Sequence, residues 1–141
     1  MIEAAAQTGG SERVNLDSDV VLVVEDDASF RKLMQVMLRA TLGVRTVLAG
    51  DGKQALEQLQ QLRPAVVLLD LSLPELNGME LIRQLKSDPA TQTIPLVAMS
   101  AMVEAREEAM AAGCDDFIEK PFELDDFIGR VQKYLRGHAR F

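Results

Sequence analysis

Among its 141 residues the chain has a single cysteine, Cys114, which excludes an internal disulfide and suits a small, partly buried core residue in a reducing compartment. Cations are also in deficit. The 15 Lys and Arg against 22 Asp and Glu leave a net charge of −7, which opposes both nucleic-acid binding through phosphate contacts and attraction to anionic membrane. Long apolar runs are missing too: none approaches the roughly 18–20 residues that span a bilayer. The N-terminus lacks the basic start and apolar core of a signal peptide. These deficits predict a cytoplasmic protein with no nucleic-acid and no membrane partner. What is plentiful is apolar residues, 48% of the chain, enough for one sizeable core in a domain of common size.

Residues 1–18 mix Ala, Gln, Gly, Ser and acids without periodicity, so they read as a flexible N-terminal tail or linker. The folded domain is expected over 19–137, with 138–141 as a short C-terminal tail. Within it, Val20 to Val24, Val44 to Leu48, Ala65 to Leu69, Pro95 to Met99 and a weaker Asp116 to Ile118 read as strands. Helical spacing fills the gaps: Phe30, Leu33, Met34, Met37, Leu38 and Leu42; then Ala55, Leu56, Leu59 and Leu62; then Ile82 and Leu85. A fourth helix, about Glu104 to Ala112, has a thin apolar stripe, and a last one near Glu123 to Leu135 carries Leu124, Phe127, Ile128, Val131 and Leu135. Gly43 and Gly113 stand where left-handed caps end helices, Asp27 or Ser29 can cap the first helix, and Pro64 and Pro95 precede strands. Five βα units result, and runs such as Val-Val-Leu-Leu without polar alternation predict a parallel sheet covered on both faces, a three-layer α/β fold.

The chemistry lies where these apolar runs stop. The first meets Glu25-Asp26-Asp27, the third Asp70, the fourth Ser100 and the fifth Lys120-Pro121. In an open parallel sheet, ligands bind beyond the carboxyl ends of the strands, so these residues converge on one site. Two like charges about 4 Å apart repel by roughly 4 kcal/mol at an effective dielectric near 20, so Glu25, Asp26 and Asp70 cannot cluster ionised without a counter-charge. Carboxylate oxygens without His or Cys partners favour Mg²⁺, and Lys120 supplies further positive charge. A carboxylate can be the nucleophile in phosphoryl transfer, which gives Asp70 a role, and the Ser100 hydroxyl can donate to a phosphoryl oxygen. Taken singly, each residue has a plainer reading: a strand-end aspartate as a cap, Ser100 as a helix cap, Lys120 as a surface lysine. Their joint occurrence favours function.

With those residues in place the chain closely resembles the response-regulator receiver domains of two-component signalling over about Asp19 to Arg136, and in particular a chemotaxis-regulator-like single domain. The acidic pair falls on Glu25 and Asp26 in Val-Val-Glu-Asp-Asp. The phosphoacceptor falls on Asp70 in Leu-Leu-Asp-Leu-Ser-Leu-Pro-Glu-Leu-Asn-Gly, with Pro74 and Gly78 at the family's offsets. Ser100-Ala101 and Lys120-Pro121-Phe122 complete the match. The resemblance implies a flavodoxin-like, doubly wound (βα)5 sandwich with strand order 2-1-3-4-5. It further implies Mg²⁺ ligated by Asp26, Asp70 and the backbone carbonyl of Ser72, with Glu25 acting through a water, and a switch pair of Ser100 and Phe117. A cis Lys120-Pro121 bond is expected, and Ser72 and Met102 fall at the positions that tune phosphoryl lifetime. The implied partners are a histidine kinase or histidine phosphotransfer protein as donor and a downstream output protein or domain as reader. The ending at Phe141 favours a free-standing regulator and the linker-like N-terminus a segment of a larger protein, and a monomer is expected because no charge pattern compels dimerisation. The domain would act as a phosphoacceptor regulator that assists only its own phosphorylation and dephosphorylation.

Other readings fit less well. An aspartyl phosphatase dependent on Mg²⁺ would need a second acid two residues after the nucleophile, where this chain has Ser72. A flavin carrier would need a Gly/Ser/Thr-rich loop after the first strand, where Glu25-Asp26-Asp27 would repel phosphate. A phosphorylation-independent, receiver-like interaction module would have no use for the intact set of Glu25, Asp26, Asp70, Ser100 and Lys120.

Overall fold

Runs of Val and Leu, stiff at χ1 or bulky and apolar, build strands that are buried on both faces. In the computed structural model, which describes residues 20–72 and 78–135, these are β1 (Val20–Val24), β2 (Arg45–Ala49), β3 (Val66–Asp70), β4 (Leu96–Ser100) and β5 (Asp116–Glu119). They form one parallel sheet in the order β2-β1-β3-β4-β5, as the resemblance implies. The expected tails 1–18 and 138–141, and Pro74, lie outside the described residues.

Five helices cover the sheet among the described residues: α1 (Ala28–Leu42), α2 (Gly52–Leu59), α3 (Gly78–Ser87), α4 (Arg106–Ala112) and α5 (Leu124–Gln132). The period-2 alternation of the strands sorts the core into two halves. Val21, Val23, Leu68, Met99 and Ile118 pack with Met34 and Leu38 of α1 and Phe127 and Val131 of α5. Leu22, Val24, Val67, Leu69, Ala98 and Phe117 pack on the other face with Leu59 of α2, Leu81, Ile82 and Leu85 of α3, and Ala109 of α4. Each of the Val, Leu, Ile, Met and Phe side chains among these, once fully buried, contributes about 1.5–3 kcal/mol from the removal of apolar surface from water, set against the entropy of ordering the chain.

Several boundaries depart from expectation: α2 ends at Leu59 and α5 at Gln132, so Leu62 and Leu135, expected on those helices, lie beyond them. β2, β3 and β4 each run one residue later than the apolar pattern predicts, so Asp70 and Ser100 are the last residues of their strands rather than the first of their loops. At Pro95 the reason is that it lacks an N–H; its carbonyl accepts from the Val67 amide at 2.9 Å, and the strand proper begins at Leu96. The fourth helical segment splits into a 3₁₀ turn at Val103–Ala105 followed by α4, which has Ala109 as its buried residue. Two residues assigned to apolar faces lie outside them: Leu33 is 50% and Leu124 44% exposed, because the buried stripes centre on Met34 and Leu38 and on Phe127 and Val131. Asp27 caps α1, accepting from the Ser29 and Phe30 amides, and both Gly43 and Gly113 take positive φ. Cys114 is buried, and that burial pushes its thiol up to about 11, leaving it unreactive at neutral pH.

Candidate functional site

The carboxyl ends of β1, β3, β4 and β5 lie side by side, because β1 pairs β3, β3 pairs β4, and β4 pairs β5 in register. Each delivers one or more polar residues to the same edge. Glu25 follows β1 directly, its amide bonded to the Ala49 carbonyl at 3.0 Å, and its side chain is buried. Its Oε2 accepts from the Asp27 amide at 3.2 Å. Arg31, one turn into α1, reaches back to donate to the carbonyls of Glu25 at 2.7 Å and Asp26 at 3.4 Å, fixing the acidic turn. Asp70 is also buried, and its Oδ1 accepts from the Ser72 amide at 3.0 Å.

The carboxylate oxygens of Glu25, Asp26 and Asp70 all lie within 4.8 Å of one another, with Asp26 on the exposed side. Lys120 enters from β5: its Nζ stands 3.3 Å from Asp70 Oδ2 and 3.4 Å from Glu25 Oε1, joining residues 95 positions apart in the chain. The ammonium rests over the Phe30 ring, 5.0 Å from its centroid, at a cleft of about 430 Å³ lined by Glu25, Asp27, Phe30, Ala101, Pro121 and Phe122. Lys120-Pro121 is cis, as expected. Ser100 is buried at the end of β4; its carbonyl accepts from the Lys120 amide at 2.8 Å, and its Oγ accepts from the Met102 amide at 2.9 Å. That bond leaves the hydroxyl proton free to donate elsewhere.

Three carboxyl groups and one ammonium leave the cluster short of positive charge. Burial of Glu25 pushes its carboxyl up to about 7; the neighbouring Asp70 adds to the shift, while the Asp27 amide and Lys120 act against it. An all-oxygen donor set, two of its three members buried and one open to solvent, suits a hard divalent cation of the Mg²⁺ type. The backbone also shows why Gly78 is required: a Cβ there would lie 2.5 Å from the Leu71 Cα, so only glycine lets α3 start against the residue that follows Asp70.

Six of the seven residues singled out in the sequence, Glu25, Asp26, Asp70, Ser72, Ser100 and Lys120, fall at or beside this edge. Ser72 meets Asp70 through its amide. Phe117 sits further back, fully buried in β5, with the Arg106 guanidinium 5.0 Å from its ring centroid. Sequence reasoning did not single out Arg31, Arg106 or a site role for Phe30. Arg31 and Phe30 follow the acidic turn by one helical turn, a spacing that carries the signal; Arg106 had none, because only the packing of α4 on β5 brings it to Phe117.

Known proteins agree with this geometry. The family profile described as "Response regulator receiver domain" matches residues 21–132. The DNA-binding response regulator MtrA of Mycobacterium tuberculosis is 39% identical over 118 residues, covering 82% of this chain and 50% of that protein, so this chain spans about half the length of such relatives. The polar-differentiation response regulator DivK of Brucella anthropi is 33% identical over 117 residues, covering 82% of this chain and 94% of DivK. Among solved structures, the receiver domain of the sensor histidine kinase PA1611 of Pseudomonas aeruginosa, crystallised with a magnesium ion coordinated in its active-site cleft, superposes with a TM-score of 0.74 at 29% identity, covering 83% of this chain and 97% of that one. The chain belongs to the response regulator receiver domains, the phosphoacceptor switches of two-component signal transduction.

Proposed function

We propose that Asp70 is the residue that takes the phosphoryl group, from a phosphohistidine of a histidine kinase or histidine phosphotransfer protein. The observation that carries this reading is the position of Lys120, whose ammonium bridges the two buried acids at the mouth of an open cleft. An Asp70 oxygen forms the new O–P bond in line as the donor's N–P bond breaks, and the imidazole leaves with that electron pair and takes a proton from solvent. Lys120 and the free proton of Ser100 then hold the phosphoryl oxygens. Asp26, Asp70 and the Ser72 carbonyl would hold Mg²⁺ directly and Glu25 through a water; when bound, the ion neutralises charge that grows on the transferred group. Ser72 stands where an aspartyl phosphatase needs a second acid, which supports a regulator rather than an enzyme acting on external phosphoesters.

In this reading, engagement of Ser100 by the phosphoryl group competes with its bond to the Met102 amide, and the loop before α4 moves. Phe117, held against α4 by Arg106, is the second member of the switch. A downstream output protein or domain reads the new arrangement. The net charge of −7 supports a domain that does not itself contact nucleic acid, a cytoplasmic monomer is part of this reading, and no helix among the described residues is long and apolar enough to cross a membrane. The test is labelling with acetyl phosphate, with and without Mg²⁺, read by intact mass. One Mg²⁺-dependent, base-labile phosphoryl group, absent from Asp70→Asn, is the expected outcome; labelling that persists in that variant would exclude Asp70 as acceptor.

A further inference from the structure

Lys120 meets Phe30 as well as its two carboxylates. Lysine has a flexible four-carbon stem and a point charge, so two carboxylates at 3.3 and 3.4 Å do not by themselves fix where its ammonium stays once those carboxylates find other partners. A π-face offers attraction that depends on neither a proton nor a metal. In this molecule such a face is built in: the Lys120 Nζ lies 5.0 Å from the Phe30 centroid.

The ring is itself held in place. Phe30 is the third residue of α1, its amide bonded to the capping Asp27 carboxylate at 3.1 Å, which ties the start of the helix to the acidic turn. Its ring tilts at 52° against Phe122, centroids 6.2 Å apart, and Phe122 stacks on Phe127 at 4.7 Å and 15°. Phe127 is fully buried in α5. An aromatic column therefore runs from the core under α5 to the ammonium in the site. Its three members come from three separate stretches of chain, α1, the segment after the cis bond, and α5, and meet only in the folded domain.

From this we infer that Phe30 is a positioning residue for phosphoryl transfer: its face holds the Lys120 ammonium at the mouth of the cleft while the carboxylates of Glu25 and Asp70 exchange partners. This rests on the phosphoacceptor reading of Asp70. Phe30 acts through Lys120 and touches no reacting atom.

The experiment uses the full chain and two variants, Phe30→Leu, which keeps apolar bulk against Phe122 but removes the face, and Phe30→Tyr, which keeps the face. Labelling with acetyl phosphate at saturating Mg²⁺ should slow by about two- to five-fold in Phe30→Leu, the range that a cation–π contact at a partly exposed site corresponds to, and recover in Phe30→Tyr. A second readout is independent of transfer: the chain has five lysines, so the Cε protons of Lys120 can be assigned by loss of their NMR signal in Lys120→Met. Those protons should be displaced upfield by the ring in the wild-type chain and in Phe30→Tyr, and not in Phe30→Leu. Equal labelling rates in wild type and Phe30→Leu, a Phe30→Tyr as slow as Phe30→Leu, or an undisplaced Lys120 signal would each overturn the inference. A wild-type chain that takes no phosphoryl group from acetyl phosphate or from phosphohistidine donors would instead overturn the phosphoacceptor reading, and the transfer role of Phe30 with it, even with the ring-shifted signal present.

Discussion

Two lysines at opposite ends of the sheet show how one side-chain type is used for two ends. Lys86, in the last turn of α3, donates to the carbonyls of Ile94 at 2.9 Å and Gln92 at 3.2 Å and pairs with Asp115 at 3.0 Å. The same Asp115 oxygen accepts from the Leu96 amide at 2.8 Å, so one ammonium ties α3 to the starts of β4 and β5. Lys120, at the carboxyl ends, makes two longer contacts, both to carboxylates, and rests on a ring. Two of the three Lys86 partners are carbonyls and the third, Asp115, is also held by the Leu96 amide, whereas both Lys120 partners are carboxylates that can turn to a metal, a proton or a phosphoryl group. The lesson is that a lysine whose three donors meet acceptors within 3.2 Å is fixed, and one held only by carboxylates at 3.3 and 3.4 Å is the one suited to the role proposed for Lys120.

The comparison can be broken from either end. Replacing Lys120 by Met should lower the rate of labelling from acetyl phosphate by about 10²-fold, the size of effect expected when one preorganised donor to a developing charge is lost. With Mg²⁺ present its thermal midpoint should move less than that of Lys86→Met; a larger thermal loss than labelling loss would make Lys120 a structural lysine after all. Lys86→Met should behave in the opposite way. It removes two carbonyl bonds and a partly exposed ion pair, and chemical denaturation should report a loss of about 1–2 kcal/mol with the labelling rate unchanged. A rate that falls in step with stability would mean that the two ends of the sheet are coupled. The smallest effect sharpens the switch: Arg106→Ala frees the buried Phe117 ring, so titration with beryllofluoride, a stand-in for the phosphoryl group, should show affinity raised by about two- to five-fold. Unchanged affinity would show that Arg106 contacts Phe117 equally in both arrangements.

Most of the scaffold was legible because its signals are local. Five short apolar runs, each followed by helical spacing, need no long-range knowledge to be read, and the strand-end positions of Glu25, Asp26, Asp70, Ser100 and Lys120 follow from where those runs stop. Boundaries slipped where hydrogen bonding rather than hydrophobicity sets the limit, as at Pro95 and at Asp70, whose side chain is polar although its backbone completes β3. Leu33 and Leu124 misled because a helical stripe is wide enough to admit a neighbour that points to water.

By itself the sequence determined the βα alternation, the buried parallel sheet, the acids and lysine at its carboxyl edge, and the glycine caps, because each depends on residue type and on periods of two or 3.6 residues. Only the tertiary structure decided that Lys120 stands between Glu25 and Asp70, that the Phe30 ring faces its ammonium, and that Arg106 covers Phe117. Those contacts join residues from separate elements, and their distances are fixed by strand register and by the packing of helices on the sheet, which no local pattern in the chain encodes.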